Sequence, residues 1–345
     1  MVLEEHLRGD FMNVHDFMNT EGNTYAITNA IAKTWDILGR YDKPIVSVSG
    51  GSDSDIVVDM VSKLDTEKKV RYGWFNTGIE LEASKRHLRF LEEKYGITIE
   101  TLPIVHPIAY TVKKYGYPFL GKYISYAIDV LQRHGYDFRL DGTYEDDLKE
   151  FQHCKDGIDW WYNKHLRPVW NVSHHRYLRQ FLGTYPPTFP ISDKCCHYSK
   201  KLPSEKLMRS GKFDLTITGL RKAEGGVRMG INQCFAYSER RGARFMPILY
   251  FSNDDKQRYN EIYGVTNSEV YTVYGFKRTG CSGCPFNPRL MEDRDKLFQY
   301  EPGLVKAADN IFAPSYEYTR LYMRFCEAQY VLDGRVNQLS RLFRH

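Results

Sequence analysis

The stretch between residues 44 and 64 constrains the fold more than any other part of the chain. It begins with an apolar, β-branched run, Pro44 to Val48, which is typical of a buried strand. Two glycines, Gly50 and Gly51, follow among short polar side chains. From Asp53 onward, apolar residues recur at helical spacing as far as Leu64. The pattern predicts a strand, a tight turn and the first turns of a helix.

Such a junction can bind an anion, because the backbone N–H groups at a helix N-terminus are unpaired and carry partial positive charge. The motif S-G-G-x-D-S resembles the phosphate loop of the PP-loop ATP pyrophosphatases, and it lacks the G-x-x-x-x-G-K-[ST] pattern of P-loop NTPases. The resemblance implies that the loop holds the phosphates of ATP and that the reaction is adenylyl transfer with loss of pyrophosphate. The nucleotide-binding residues predicted in the loop are Ser49, Gly50, Gly51, Ser52, Asp53 and Ser54.

The alternation of strand and helix continues after this loop. Composition and spacing predict a second strand at residues 70–75, a helix over 80–95 and a third strand at 97–102. This order is typical of an α/β protein with a doubly wound parallel sheet. The resemblance implies the adenine nucleotide alpha hydrolase-like form of that fold, with helical additions at both ends of the chain.

Two further segments resemble parts of the same family. Asn76, Thr77 and Gly78 follow the second strand at its carboxyl end, where such sheets bind ligands, and they resemble a D-T-G segment that lies against the nucleotide. Asn76 stands where Asp is common, so no role that needs a negative charge is expected there. Gly219 and Arg221 follow another predicted strand, and the resemblance to a T-G-x-R-x-x-E segment assigns them to the nucleotide as well.

Departures from the family pattern occur around residue 251. The segment 246–255 resembles the P-x-x-x-W-[ST]-x-x-D-V region of the family. Phe251 replaces the usual Trp, and Lys256 follows the acidic residue where Val is usual. Upstream, Glu224 falls at the final, acidic position of the T-G-x-R-x-x-E segment.

The cysteines carry the second strong signal, because the seven of them are unevenly spaced and odd in number. That usage favours metal or thiol chemistry over a disulfide framework. A Cys-Cys pair and a distant C-x-x-C turn could together close a site of four sulfur ligands. Adjacent residues strain a single zinc tetrahedron, so an iron–sulfur cluster is favoured over zinc, with free or redox thiols as a third alternative. The predicted metal ligands are Cys195, Cys196, Cys281 and Cys284.

This arrangement resembles the 4Fe–4S motif of the assimilatory adenylyl-sulfate reductases, within the phosphoadenosine-phosphosulfate reductase family. Lys200 and Pro203 match the K-x-x-P that follows the double cysteine in those enzymes. The reductases carry their nucleophilic cysteine in a C-terminal E-C-G-x-H segment, and the surroundings of Cys326 do not match it. Cys154, Cys234 and Cys326 are expected to be inert thiols.

The predicted organisation has three parts: an N-terminal helical segment at 1–40, a PP-loop domain at 41–290, and a C-terminal helical segment at 291–345. The domain contains an insert at about 108–190 and the cysteine region 195–284. Within the insert, Trp160, Trp161 and Trp170 interleave with cationic residues. That pattern suits stacking on bases, although an amphipathic helical insert with core aromatics would produce it too.

Composition narrows the class of protein. Hydrophobic residues make up 42% and charged residues 26%, as in ordinary globular proteins, and the net charge of +5 permits a nucleic-acid partner without requiring one. No apolar run is long enough to span a membrane, and the start of the chain lacks the apolar core of a signal peptide. We therefore expect a cytoplasmic protein with no membrane partner.

The leading hypothesis is an enzyme that binds ATP with Mg²⁺ and an iron–sulfur cluster, and adenylates an acceptor so that sulfur can replace oxygen. RNA or DNA fits best as the acceptor, a sulfur donor is required, and a homodimer is compatible with the sequence. The catalytic residues are not identified; the candidates are Asp53, Lys200 and Arg221. The residues expected to supply positive charge to the anion are Lys200, Lys201, Arg228 and Arg278.

Two alternatives remain open. One is a sulfonucleotide reductase that uses Cys326 or Cys234 as its nucleophile. The other is a nucleotide- or DNA-binding accessory or regulatory protein that keeps the fold without turnover.

Overall fold

The computed structural model describes residues 13–334 of the chain, which divides into two compact units. The first unit contains Met1–Val105 and Lys200–Gly280, and the second contains His106–Ser199 and Cys281–His345. Residues 1–12 and 335–345 of the two predicted terminal segments lie outside the described residues. The domain boundaries at residues 40 and 290 stay a prediction.

The helices of the described residues are numbered along the chain. They are α1 (Val14–Met18), α2 (Tyr25–Leu38), α3 (Ser52–Leu64), α4 (Glu82–Tyr95), α5 (Ile108–Tyr115), α6 (Lys122–Arg133), α7 (Tyr144–Glu150), α8 (Lys155–Trp161), α9 (Leu178–Thr184), α10 (Lys194–Cys196), α11 (Leu202–Arg209), α12 (Asn253–Tyr263), α13 (Glu269–Thr272), α14 (Leu290–Tyr300) and α15 (Pro302–Leu332). A π-helical turn, His197–Lys201, follows α10.

One sheet organises the first unit. Its strands are β1 (Pro44–Ser47), β2 (Arg71–Phe75), β3 (Ile99–Leu102), β4 (Leu215–Ile217), β5 (Phe235–Ser238) and β6 (Gly242–Phe245). They lie in the order β3-β2-β1-β4-β6-β5. All neighbouring pairs are parallel except β5 and β6, which form an antiparallel pair at the edge. The predicted α/β class with a doubly wound, mostly parallel sheet is confirmed.

The strand order reverses at β1, because β2 and β3 lie on one side of it and β4, β6 and β5 lie on the other, although β1 and β4 run parallel. Ile45 of β1 is opposite Arg71 of β2 on one side and Thr216 of β4 on the other. Beyond the carboxyl ends of two such strands, the connecting segments leave a crevice, which is where open α/β sheets bind ligands. The topology therefore places the β1–α3 turn and the segment after β4 at one edge of the first unit.

The core of the first unit covers β1 with α3 and α2. Val46 of β1 and Ile56, Val57 and Val61 of α3 are completely or almost completely buried. Each such side chain contributes roughly 1.5–3 kcal/mol when it leaves water, so the start of α3 is held rigidly against the strand.

Helical spacing over Thr24 to Leu38 predicts that Ala26, Ile27, Ile31, Trp35 and Leu38 share one packed face of α2, and this prediction is wrong at Trp35. Ile27, Ile31 and Leu38 are buried as expected, but Trp35 is 54% exposed. Ala30 and Thr34 occupy the buried face in its place, and the Thr34 hydroxyl donates to the carbonyl of Ala30. A small residue and an internally bonded hydroxyl pack closely on α3, whereas an indole is too large for that contact.

The second unit is helical and has its own core. Phe119, Trp160, Trp161 and Phe181 are buried in it together with Cys326 of α15. The predicted insert and the predicted C-terminal segment thus share one core, and the two tryptophans are structural rather than available for stacking on bases. No helix among residues 13–334 is long and apolar enough to cross a membrane.

Candidate functional site

The turn between β1 and α3, Ser49–Ser54, is called the glycine–serine loop. Gly50 has a positive φ of 64°, a conformation that favours glycine. The N–H of Ser49 donates to Ser54 Oγ at 3.1 Å, and the N–H of Gly51 donates to Ser49 Oγ at 3.3 Å. The loop is therefore closed by its own hydroxyls, and α3 begins at Ser52 without a side-chain cap from its N-cap residue, Gly51.

Gly219 brings the segment after β4 against this loop. A Cβ added to Gly219 would lie 2.7 Å from the carbonyl oxygen of Asp53 and 2.9 Å from the N atom of Ser54. Real Cβ atoms do not approach backbone that closely, so only glycine permits this packing. The conformation of the loop thus depends on a residue that lies far away in the sequence.

Arg221 and Lys256 hold Asp53 from two sides. The Arg221 Nε donates to Asp53 Oδ1 at 2.9 Å, and Lys256 Nζ lies 2.7 Å from the same oxygen. Arg221 is only 5% exposed. The Nη1 atom of Arg221 donates to the carbonyl oxygen of Ser252 at 3.2 Å and to Asn253 Oδ1 at 3.2 Å. One carboxylate facing two cations leaves a net positive charge beside the first turn of α3.

Lys256 is the residue that sequence reasoning missed. It lies in the first turn of α12 and also contacts Ser52 Oγ. The only sign of this residue in the sequence is that Lys256 stands where the family usually has Val, and that departure by itself assigns no function. Tyr271 was missed entirely, although its hydroxyl accepts a hydrogen bond from the N–H of Ser52 at 3.3 Å.

The segment after β2 forms a compact turn. The N–H of Gly78 donates to Asn76 Oδ1 at 2.9 Å, so Asn76 stabilises the turn with its own side chain. The Thr77 hydroxyl donates to Glu80 Oε1 at 3.0 Å, and Lys200 Nζ lies 3.5 Å from the same carboxylate oxygen. Glu80 is 5% exposed, so its negative charge is held at this turn by its contacts with Thr77 and Lys200.

These elements enclose a cavity of about 480 Å³ in the first unit. That volume lies within the usual range of small-molecule sites, roughly 300–1,000 Å³. The charged residues of its lining are Asp53, Glu80, Lys200, Arg221, Glu224, Arg228, Lys256, Lys277 and Arg278. Within the part of the chain that the structure describes, the three carboxylates pair with Arg221, Lys256, Lys200 and Arg228, and Lys277 and Arg278 have no ion pair. The cavity is therefore electropositive and suits an anion.

Most of the predicted site residues meet at this cavity, but some do not. Of the loop, all but Gly50 line it, together with Gly219, and so do the predicted cations Lys200, Arg228 and Arg278. Near the carboxyl end of β2, the described residues that line the cavity are Trp74, Phe75 and Glu80, and Asn76, Thr77 and Gly78 do not line it. The exposed Lys201 is not a lining residue either. A second cavity, about 590 Å³, shares Arg221 and Lys256 but contains none of the loop amides.

The four predicted metal ligands all belong to the second unit and are called the cysteine cluster. A hydrogen bond with Cys196, then burial and the negative charges of Cys284 and Cys281, raise the pKa of Cys195 well above its ordinary value. The four thiols therefore interact with one another electrostatically. Among residues 13–334, no group of three or more His, Cys, Asp or Glu side chains is placed so that it could hold a metal ion. The metal site stays a prediction.

The backbone around the C-x-x-C turn fits a sulfur-ligated centre. The N–H of Cys284 donates to the carbonyl of Cys281 at 3.3 Å, and Gly283 has a positive φ of 62°. A Cβ on Gly283 would lie 2.5 Å from Tyr316 Oη and 2.6 Å from Ala308 Cβ, so α15 packs directly on the turn. Four soft sulfur donors whose negative charges disfavour one another are suited to a bound cation, which would stabilise the thiolates.

A known protein family matches a stretch of the chain that includes the cysteine cluster. Residues 162–287 match the family model of the phosphoadenosine phosphosulfate reductase domain. The matched stretch includes the cysteine cluster, Gly219 and Arg221, and the predicted resemblance to that family is confirmed there. It covers less than half of the chain, and the glycine–serine loop lies outside it. No curated protein sequence matches the chain.

Solved structures that resemble the chain include three enzymes. Phosphoadenylyl-sulfate reductase from Candida auris, in a phosphate complex, is 12% identical with a TM-score of 0.40, over 78% of this chain and 93% of that one. The U34-tRNA thiolase NcsA from Methanococcus maripaludis, with its [4Fe-4S] cluster, is 15% identical with a TM-score of 0.34, over 86% and 79%. The NH3-dependent NAD synthetase from Campylobacter jejuni, with nitrate, is 12% identical with a TM-score of 0.31, over 84% and 94%. Such distant likeness does not identify an activity.

Two of the remaining cysteines, Cys154 and Cys326, are buried in the second unit, and Cys234 is partly buried in the first. Cys326 is fully buried, its thiol lies 3.8 Å from the carbonyl oxygen of Arg176, and burial raises its pKa to about 11. Burial also raises the pKa of Cys154, whose thiol donates to the carbonyl of Phe151. Cys234 is partly buried in the first unit, 3.9 Å from Lys33 Nζ. A thiolate nucleophile is not prepared at Cys326.

Proposed function

We propose that the first unit binds ATP with Mg²⁺ at the glycine–serine loop and transfers the adenylyl group to an acceptor, which activates an oxygen for replacement by sulfur. The observation that carries the proposal is the position of the loop. It lies where the strand order reverses, at the N-terminus of α3, and Arg221 is buried against Asp53. Backbone N–H groups and a helix dipole favour phosphate at such a position.

The residues have distinct roles in this proposal. The loop, Gly219 and Arg221 hold the triphosphate, and Lys256 joins them as a residue that contacts the loop. Asn76, Thr77 and Gly78 lie on the adenosine side. In adenylyl transfer the acceptor oxygen attacks the α-phosphorus and pyrophosphate leaves, so negative charge develops on the leaving group. Arg221, Lys256 and Mg²⁺ would stabilise that charge in a cavity that already contains more cations than anions.

Further positive charge would come from Lys200, Arg228 and Arg278 at the cavity, and from Lys201 nearby in the sequence. Asp53, Lys200 and Arg221 remain the candidates for catalysis. Asp53 is held by two cations, so its carboxylate keeps them oriented before the nucleotide binds. The acceptor class that we propose is a base or phosphate of RNA or DNA, and a sulfur donor is required.

We also propose that the cysteine cluster holds a 4Fe–4S centre, in preference to zinc. Cys195, Cys196, Cys281 and Cys284 would supply four thiolates, the usual ligand set of such a cluster. When bound, the cluster would bind or pass sulfur, or else maintain the shape of the site. Iron content and the visible absorption spectrum of anaerobically purified protein test this directly.

The test of nucleotide binding is a comparison of Arg221→Gln with the wild type. Loss of a charge-assisted hydrogen bond costs roughly 1.5–3 kcal/mol, so we expect ATP affinity to fall by about 10- to 100-fold by calorimetry. Arg40→Gln is the matched control, because Arg40 is an exposed arginine of the same unit that pairs with Asp36. Equal ATP affinity in the two variants would contradict the proposal.

Turnover needs its own assay. Pyrophosphate release from ATP is measured with candidate RNA and DNA acceptors present and absent. If ATP binds and no acceptor or reaction time yields pyrophosphate, the chain is a nucleotide-binding accessory protein and not an enzyme.

The match of residues 162–287 keeps sulfonucleotide reduction as the second candidate function. It requires a nucleophilic thiol, for which Cys234 and Cys326 are the candidates. Thiol-dependent sulfite release from adenylyl sulfate or its 3′-phosphate, lost on substitution of either cysteine by serine, would favour this activity over adenylation.

A further inference from the structure

A group of four aromatic side chains lies in the second unit outside the sites described so far. His106, Tyr110, Tyr115 and Tyr198 form this group, which is called the four-ring cluster. The rings of Tyr115 and Tyr198 are stacked, with centroids 4.6 Å apart and planes at 24°. The ring of His106 lies 4.7 Å from that of Tyr110 and 5.2 Å from that of Tyr198.

The four rings lie outside the main hydrophobic core of the second unit. The core around Phe119 and Trp161 does not include them among the residues that the structure describes. Tyr110 is 46% exposed, and the other three rings are partly exposed. One exposed aromatic ring beside three partly exposed ones offers a face on which a planar ligand can stack.

Lysine side chains accompany the rings. Lys114 Nζ lies 5.3 Å from the centroid of Tyr110 and 5.2 Å from that of Tyr115, and it donates to the Tyr110 hydroxyl at 3.0 Å. Lys113 is exposed beside it on α5. Residues 106–128 and 194–199, which carry the rings, contain no Asp or Glu. Lys194 pairs with Asp129, whereas Lys114 contacts two of the rings directly.

We propose that the four-ring cluster is a stacking surface for a base of a single-stranded nucleic acid, with Lys113 and Lys114 contacting adjacent phosphates. An exposed ring can stack only on a base that has left its own stack, which favours a single strand over a duplex. The two lysines and the lack of Asp and Glu in these segments favour a negatively charged partner, such as a phosphate backbone, over a cationic or a purely apolar one.

The four-ring cluster lies close to the cysteine cluster within the second unit. Tyr198 follows Cys196 by two positions, and α5, which carries Tyr110 and Tyr115, packs against α10, which carries Cys195 and Cys196. A base stacked on these rings would be held next to the cysteine cluster. The inference deepens the proposed function, since it rests on a nucleic-acid acceptor, and it assigns the surface that binds that acceptor.

The experiment uses the full chain without ATP. Binding of labelled oligo-dT and oligo-U of about 16 nucleotides is measured by fluorescence anisotropy, with a DNA duplex of equal length as the comparison. We expect the single strands to bind more tightly than the duplex, and the tighter of the two single strands identifies DNA or RNA as the ligand. Tyr110→Ala should weaken binding by about tenfold, and Tyr110→Phe, which keeps the ring, should retain it.

Charge is tested separately by the dependence of binding on salt. Lys114→Ala should make the slope of log K against log salt shallower by about 0.7, the value for one phosphate contact on a single strand. Lys164→Ala is the matched control, because Lys164 also lies over a tyrosine of the second unit, Tyr144, at 4.6 Å. Tyr185→Ala controls for loss of an exposed ring, since Tyr185 is 44% exposed in the same unit.

Three results would overturn the inference: equal binding of duplex and single strand, equal loss in Tyr110→Ala and Tyr185→Ala, or no binding at about 50 mM salt. Failure of the proposed function is distinguishable, because it would appear as absent ATP binding in a protein that still binds oligonucleotide through Tyr110.

Discussion

In the first unit, several polar groups of the glycine–serine loop are bonded within the protein, whereas in the second unit the other sulfur atoms of the cysteine cluster oppose ionisation of Cys195. Asp53 satisfies Arg221 and Lys256 before any ligand is present. Cys195, by contrast, has a raised pKa because the surrounding sulfur atoms and burial oppose its thiolate. The loop is thus shaped by packing within the first unit, whereas the cysteine cluster would require a bound cation to act as a set of thiolate ligands.

The largest effect is expected when the cysteine cluster of the second unit is changed. Cys281→Ser removes one of four thiolates, and we expect the iron content of anaerobically purified protein to fall from about four atoms per chain to near zero. Cys234→Ser, in the first unit, is the control and should keep its iron. Wild-type protein that contains no iron or zinc would show that the cluster is only a group of thiols.

Gly219→Ala tests whether the loop is shaped by close packing. The added Cβ would meet the carbonyl oxygen of Asp53 at 2.7 Å, so we expect a loss of about 1–3 kcal/mol of unfolding free energy and weaker ATP binding. Urea unfolding and calorimetry measure the two effects. Gly303→Ala is the control, because nothing lies within 4 Å of its added Cβ. Unchanged stability in Gly219→Ala would mean that the loop and the β4 end are not in tight contact.

Lys256→Met separates the two cations that hold Asp53. Arg221 still pairs with Asp53 in this variant, so the unfolding free energy should change by less than about 1 kcal/mol, while ATP affinity should fall by about tenfold. Lys85→Met is matched to it, since Lys85 is another ion-paired lysine of the first unit. Equal ATP affinity in the two variants would exclude Lys256 from the site.

The smallest effect is expected at Cys326, which belongs to neither site. With its pKa raised from 9.0 to about 11, its thiolate fraction at pH 8 is about 100-fold below that of an ordinary thiol, so it should be alkylated slowly in the native state. Because the folded-state pKa is raised, its contribution to stability is present below pH 9 and is lost as the pH rises towards about 11. Cys326→Ala should leave pyrophosphate release within twofold of wild type; a larger loss would show that Cys326 is not inert.

Local patterns in the sequence were sufficient for several features. The apolar run at 44–48, the two glycines and the helical spacing after Asp53 predicted β1, the glycine–serine loop and α3, because each depends on near neighbours in the chain. The same holds for the parallel order of β1, β2 and β3, since short helical connections between strands favour it. The family match over residues 162–287 agrees with the cysteine spacing that predicted it.

Other features depend on residues that are distant in sequence. Lys256 and Tyr271 contact the loop across about 200 positions of the chain, and no local pattern predicts which cation will pack on Asp53. In α2, Ala30 and Thr34 lie on the buried face, whereas Trp35 is exposed. The sequence by itself determined the α/β class and the alternation of the first strands with helices, which makes those strands parallel. Only the tertiary structure decided which side chains complete the sites, because burial and close packing between distant segments, not propensity, select them.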